Sequence, residues 1–142
     1  MRTCSPSGSK PALLFAYGTL MRGYPLHGVL ARRTTLVGPA RVKGRLVDLG
    51  AYPGLVNGAG IVHGELYRFD DPELLCDLDR EEGYNFHRRR TTVTHANGRR
   101  ARAWVYRYRG SRRAAAPIPY GDYRRARPRD PPGAATRLRD RG

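Results

Sequence analysis

Apolar residues along this chain fall in short runs, each stopped by glycine, proline, asparagine or charge, a pattern that predicts strands with few helices. The first run, Leu13 to Ala16, reads as a buried strand that breaks at Tyr17-Gly18-Thr19-Leu20. Gly18 is expected to let the backbone turn sharply there, leaving amides without strand partners at the strand's mouth. Leu26 to Ala31 is short enough for one helical turn. Thr34 to Val37 and Ala40 to Leu49 read as strands, the second with Val42, Gly44 and Leu46 on one face and Arg41, Lys43, Arg45 and Val47 on the other. Gly50 to Gly60 is rich in turn residues, and Ile61 to Phe69 is again strand-like. Arg88 to His95 and Arg100 to Arg107 alternate about Ala96-Asn97-Gly98-Arg99, the signature of a hairpin.

Helical spacing is clearest in the segment that Asp71-Pro72-Glu73 opens. Asp71 can cap free amides, Pro72 suits the first helical position, and Glu73 complements the positive helix end. The helix is expected to run to about Glu82 and stop at Gly83. Leu74, Leu75 and Leu78 define its apolar direction. At ~100° per residue Glu82 lies about 33° from that direction, Glu81 about 67° and Asp79 about 93°. Burial and the negative helix end both disfavour a charged carboxylate at position 82, which suits a group that takes and returns a proton. The competing reading is a frayed helix end whose Glu82 pairs with Arg88 or Arg89 at the surface.

The length of 142 residues is that of one domain, and the pattern predicts a mixed α+β fold. Residues 1–10 form a Ser/Gly/Pro leader, residues 11–123 the folded domain, and residues 124–142 an Arg/Pro-rich tail expected to be disordered. Neither an export signal nor a membrane-spanning run stands out, so a cytoplasmic protein is expected. Cys4 and Cys76 are expected to be reduced thiols. His27, His63, His87 and His95 lack metal-ligand spacing, and no nucleophile elbow or dinucleotide loop is present, so neither metal nor cofactor is expected.

The net charge of +15 marks a basic protein, and of its 27 basic residues only Lys10 and Lys43 are not arginine. Charge spread along the whole chain would favour loose, salt-sensitive association with nucleic acid. Trp104, Tyr106 and Tyr108 interleaved with Arg102, Arg107 and Arg109 could stack bases, the basis of an alternative reading as a catalytically silent binding module.

A family resemblance rests on an ordered set of segments. Tyr17-Gly18-Thr19-Leu20 is followed by Tyr52-Pro53-Gly54-Leu55-Val56, Val62-His63-Gly64-Glu65-Leu66-Tyr67, Leu78-Asp79-Arg80-Glu81-Glu82-Gly83-Tyr84, Val105-Tyr106 and Ile118-Pro119-Tyr120-Gly121-Asp122-Tyr123. In this order they resemble the gamma-glutamylcyclotransferase-like family, of the gamma-glutamylamine cyclotransferase type. The resemblance implies a small β-barrel-like sheet flanked by short helices. It also implies a cofactor-independent enzyme that cyclises a γ-glutamyl amide to 5-oxoproline and releases an amine or amino acid.

On this resemblance Glu82 is the catalytic acid–base, Tyr17, Gly18, Thr19 and Leu20 form the substrate loop, and Tyr106 reaches the site from a late strand. Arg22 is a weaker candidate for attracting an acidic substrate, and His63 reads as a core or edge histidine. The chain departs from the family pattern at Phe86, where many members carry tyrosine, so a hydroxyl near Glu82 or the substrate is missing. A milder departure is Tyr123, where tryptophan is frequent.

Overall fold

In the computed structural model the described residues are 11–18, 20–21, 23, 27–50, 52–82, 85–111, 115–118 and 121–126, without the side chains of Val29, Glu82 and Ala126. The leader 1–10, most of the tail, Thr19 and Arg22 therefore lie outside them. Among the described residues the elements run in the order β1 (Ala12–Ala16), α1 (Gly28–Ala31), β2 (Thr35–Asp48), β3 (Pro53–Phe69), α2 (Glu73–Glu82), β4 (Phe86–His95), β5 (Arg100–Tyr108), β6 (Ala116–Pro117) and α3 (Tyr123–Ala126).

The strands close on themselves. Their order is β3-β1-β5-β4-β2-β6, and β2 also pairs with β3, so five strands make a barrel and β6 attaches outside the ring to β2. β1 runs antiparallel to β3 over Ala12–Ala16 and meets β5 in parallel at Leu14↔Trp104. Closure gives each of the five strands a partner on both sides, which limits the template for aberrant strand pairing.

β2 and β3 are longer than the sequence pattern indicates. The two runs expected at residues 34–37 and 40–49 are one continuous strand, and β3 begins at Pro53 inside the stretch read as turn-rich. The pairing absorbs irregularities at Leu36/Gly38 and Lys43/Arg45, and across the second the β3 partner jumps from Ile61 to Val56. Asn57 to Gly60 is thus an insertion within a strand, which bends it. The glycines there mark that bulge rather than the end of the strand.

The β4–β5 hairpin follows expectation. His95 N–H donates to the Arg99 carbonyl at 2.8 Å, leaving Ala96-Asn97-Gly98 as the loop, with Gly98 at φ +90°. A three-residue loop of this kind needs a left-handed residue, and glycine takes that conformation without strain.

α2 starts as its cap residue dictates, with the Glu73 amide donating to Asp71 Oδ1 at 2.9 Å. Leu74, Leu75 and Leu78 are fully buried against the barrel. Arg33, just past α1, donates to Asp77 at 2.5 Å and to Asp71 at 3.2 Å and so ties α1 to α2. α3 is tied to β3: Arg124 Nη2 donates to Glu65 Oε2 at 2.7 Å, and Tyr67 Oη donates to Glu65 Oε1 at 2.5 Å. The buried Glu65 charge is thus satisfied by a cation and a hydroxyl, as a desolvated carboxylate requires. Cys76, expected as a reduced thiol, is disulfide-bonded. Among the described residues no helix is long and apolar enough to cross a membrane.

Candidate active site

The end of β1, the start of β3, the β4–β5 hairpin and the last turn of α2 meet around a cavity of about 80 Å³. Phe15, Ala16, Tyr17, Gly18 and Leu20 supply one wall, Tyr52 and Pro53 a second, and Phe86 and Tyr106 a third. Glu81 completes the lining from α2.

The loop after β1 is held by its neighbours. The Met21 amide donates to the Gly18 carbonyl at 2.9 Å, closing a tight turn, and His27 Nδ1 donates to the Leu20 carbonyl at 2.9 Å. Tyr17 is 6% exposed; its hydroxyl donates to the Tyr106 carbonyl at 2.6 Å and accepts from the Leu55 amide at 3.1 Å. One phenol thus fastens β1 to β5 and β3 beneath the loop. Gly18 has a different reason from the one its sequence suggests. It is absent from the positive-φ glycines, whereas a Cβ at this position would lie 2.6 Å from Pro53 Cγ and 2.8 Å from Pro53 Cδ. The residue is small because the proline ring packs against it.

On the hairpin, the cross-strand pairs Phe86↔Tyr108, Arg88↔Tyr106 and Arg90↔Trp104 put these side chains on one face. α2 lies on that face. Tyr106 is 3% exposed, and its hydroxyl donates to Asp79 Oδ1 at 2.6 Å, with the Leu75 carbonyl at 3.4 Å. Arg88 grips the same carboxylate with Nε on Oδ1 at 3.0 Å and Nη2 on Oδ2 at 3.1 Å. Its guanidinium also rests on the Trp104 ring, 4.8 Å from the centroid, and that of Arg90 lies at 4.9 Å. Phe86 packs on Tyr52 and Tyr108 at 5.7 and 5.4 Å between ring centroids.

Of the residues the sequence singles out, Tyr17, Gly18, Leu20 and Tyr106 come together at the cavity, and Phe86, the departure from the family pattern, lines it as well. Thr19 and the side chain of Glu82 lie outside the described residues, but the backbone at position 82 is helical and closes α2, so the helix is not frayed there. His63 is an exposed strand residue bridged to Asp122. Sequence reasoning passed over Asp79, the farthest of Glu82, Glu81 and Asp79 from the apolar direction of α2. The overlooked signal was Arg88, which reaches back from the next strand and draws that flank of the helix onto Tyr106. Glu81 lines the cavity although it is exposed. Among the described residues no cluster of three or more His, Cys, Asp or Glu is placed to hold a metal ion.

Residues 14–125 match the family described as "Gamma-glutamyl cyclotransferase, AIG2-like", and the chain belongs to it. A relative in Vibrio cholerae serotype O1, provisionally named a gamma-glutamylcyclotransferase, is 40% identical over 113 residues, covering 78% of this chain and 94% of the relative. The gamma-glutamylcyclotransferase family protein YtfP of Escherichia coli K12 is 39% identical over 66 residues, 45% of this chain and 53% of YtfP.

Solved structures agree on the fold. The solution structure of Escherichia coli ytfP superposes with a TM-score of 0.59 at 32% identity, covering 78% of this chain and 95% of that one. An AIG2-like protein of Mus musculus gives a TM-score of 0.60 at 28% identity, over 68% of this chain and 76% of that one. YkqA of Bacillus subtilis shares the fold with a TM-score of 0.70 at 24% identity, and this chain spans only 43% of its length.

Proposed function

We propose that the protein is a γ-glutamyl cyclotransferase that converts a γ-glutamyl amide to 5-oxoproline with Glu82 as its catalytic acid–base. The observation that carries this reading is the meeting of the β1 loop, Tyr106 and the last turn of α2 around one cavity. The substrate carries its own nucleophile. Its α-amine attacks the γ-carbonyl, the lactam C–N bond forms, the original amide C–N bond breaks, and the amine leaves. Such intramolecular attack is worth an effective molarity on the order of 10⁵–10⁸ M when the reacting atoms are held in place. The protein must then take one proton from the α-ammonium before attack and a second from the same nitrogen as the lactam forms, stabilise an oxyanion, and deliver protons to the leaving nitrogen, which departs as an ammonium. Glu82 takes and returns the proton, and the turn at Gly18 to Met21 faces the oxyanion or the α-carboxylate. Family membership and the Leu78-Asp79-x-x-Glu82-Gly83-Tyr84 segment support assigning this role to Glu82 rather than Glu81.

The test is a panel of γ-glutamyl amino acids and γ-glutamyl amines assayed for 5-oxoproline. The wild-type protein is expected to turn over at least one of them, and Glu82→Gln to lose that turnover while retaining the fold. No release from any member of the panel overturns the proposal.

A further inference from the structure

Positive charge runs the whole length of this chain, but negative charge does not. Residues 1–47 and 83–121 contain neither Asp nor Glu, so all 12 acids fall within 48–82 and 122–142. β4 and β5 therefore hold no carboxylate, and β2 holds one only at its last residue, Asp48. Pairing sets these three strands side by side, with Arg41 opposite Thr94 and Thr94 opposite Arg100. One face of this sheet is the barrel interior, where Val42, Val93, Ala103 and Val105 are buried. The other carries Arg41, Lys43 and Arg45 from β2, Arg90 from β4, and Arg100 and Arg102 from β5. All but the half-buried Arg41 are exposed.

Their contacts do not neutralise them. Arg41 Nη1 donates to the His95 carbonyl at 3.5 Å, and Arg102 Nη1 to Thr92 Oγ1 at 3.3 Å. The Arg90 guanidinium lies 4.9 Å from the Trp104 ring centroid. Arg45 lies over the β3 bulge, where a Cβ on Gly58 would come 2.9 Å from its Cβ and 3.3 Å from its Nε. Among the described residues no carboxylate pairs with any of these cations, whereas Arg33, Arg80 and Arg88 are all matched to acids of α2 or its cap. Strands lie ~4.8 Å apart and alternate residues ~6.7 Å apart, so the cations share a patch of roughly 10 by 15 Å. Like charges this close repel one another, and a partner with closely spaced anions relieves that repulsion.

We infer that the solvent face of β2, β4 and β5 is a docking surface for the phosphate backbone of a nucleic-acid duplex. The groups on this face favour a duplex over a single strand. Arg88 and Arg90 rest on the Trp104 ring, Tyr106 is buried and Tyr108 packs on Phe86, so recognition falls on phosphate rather than on stacked bases. A duplex presents one charge per ~1.7 Å of its axis, twice the density of one strand. Arg100 lies six residues along β5 from Tyr106, about 20 Å, and the acids of α2 repel phosphate from that end. Docking there is independent of the chemistry in the cavity.

The probe is a fluorescein-labelled DNA duplex of about 20 base pairs, followed by anisotropy between about 50 and 200 mM salt. About four phosphate contacts predict a log–log slope near −3.6 and an affinity that falls on the order of 10²-fold across that range. Lys43→Gln/Arg102→Gln should make the slope shallower by about 1.8 and weaken low-salt binding about tenfold or more. Arg32→Gln/Arg68→Gln removes the same net charge from exposed positions on other elements, and should leave the slope unchanged and the affinity within about twofold. Lys43→Gln alone should take about 0.9 from the slope, and keeps the test open if the pair lowers the thermal midpoint. Equal weakening by the two pairs would leave net charge as the whole cause and overturn the inference. So would the absence of duplex binding at the lowest salt. Displacement of the duplex by poly-glutamate or phosphatidylserine vesicles as readily as by unlabelled duplex would overturn it too, since the face would then take an acidic protein or a membrane equally well.

Discussion

Tyr17, Gly18 and Tyr106 show how much of the site is built from contacts rather than from special backbone. Tyr17 spends its hydroxyl on the Tyr106 carbonyl and the Leu55 amide, so its role is to fasten the cavity's floor. Gly18 lets Pro53 close in, and its substitution therefore acts on the shape of the cavity more than on the path of the chain. Gly18→Ala should push the Pro53 ring by a few tenths of an ångström or more, a strain on the order of 1–3 kcal/mol. The expected outcome is a raised KM in steady-state assays with a lowered thermal midpoint. An unchanged KM would mean that the wall made by Pro53 does not touch the substrate. The glycine was conspicuous in the sequence, but its reason was hidden, because Pro53 lies far along the chain.

Among elements, α2 and the β4–β5 hairpin were legible because their signals are local: a capping aspartate with a following proline, leucines at helical spacing, and Asn-Gly between alternating runs. β2 and β3 were not. Their glycines look like turn residues, and only the partner strand shows that Asn57 to Gly60 is a bulge inside a continuous ladder. Barrel closure depends on that register, which has no local trace; it was foreseen from the family resemblance alone. Asp79 was missed for a related reason, since a helical wheel knows the apolar direction but not which strand carries the arginine.

The hairpin also holds the clearest pH response. Burial, and then the positive charges of Arg89, Arg109 and Arg107, hold the His87 pKa below its ordinary 6.5. The folded state therefore favours neutral His87, and the unfolded chain takes the proton first as pH falls. Stability from this residue is complete above pH 6.5 and is lost as pH falls through that value toward the lower folded pKa. Urea midpoints measured on both sides of that range should fall more on acidification for the wild type than for His87→Gln. Parallel curves would exclude His87 as the source.

At the scale of the whole molecule, the charge of +15 and the closed barrel pull the functional reading in different directions. The aromatic stripe that suggested base stacking is largely occupied. Tyr106 is buried, Tyr108 packs on Phe86, and Trp104 is held by Arg88 and Arg90. What this stripe leaves on offer to a polyanion is chiefly charge. Binding of a single-stranded oligonucleotide should then be confined to low salt, weaken linearly in log–log against salt, and be unaltered by Trp104→Leu. Binding that persists at physiological salt and is lost in Trp104→Leu would restore the nucleic-acid reading.

The central claim is that the carboxylate closing α2, and not its neighbour, moves the proton. The most direct measurement is the rate of 5-oxoproline release from one γ-glutamyl substrate by wild type, Glu82→Gln and Glu81→Gln at equal concentration. The account predicts that Glu82→Gln loses activity by a factor on the order of 10²–10⁴, the usual worth of a general acid–base, while Glu81→Gln keeps turning over. Full activity in Glu82→Gln, with its loss in Glu81→Gln, would contradict it.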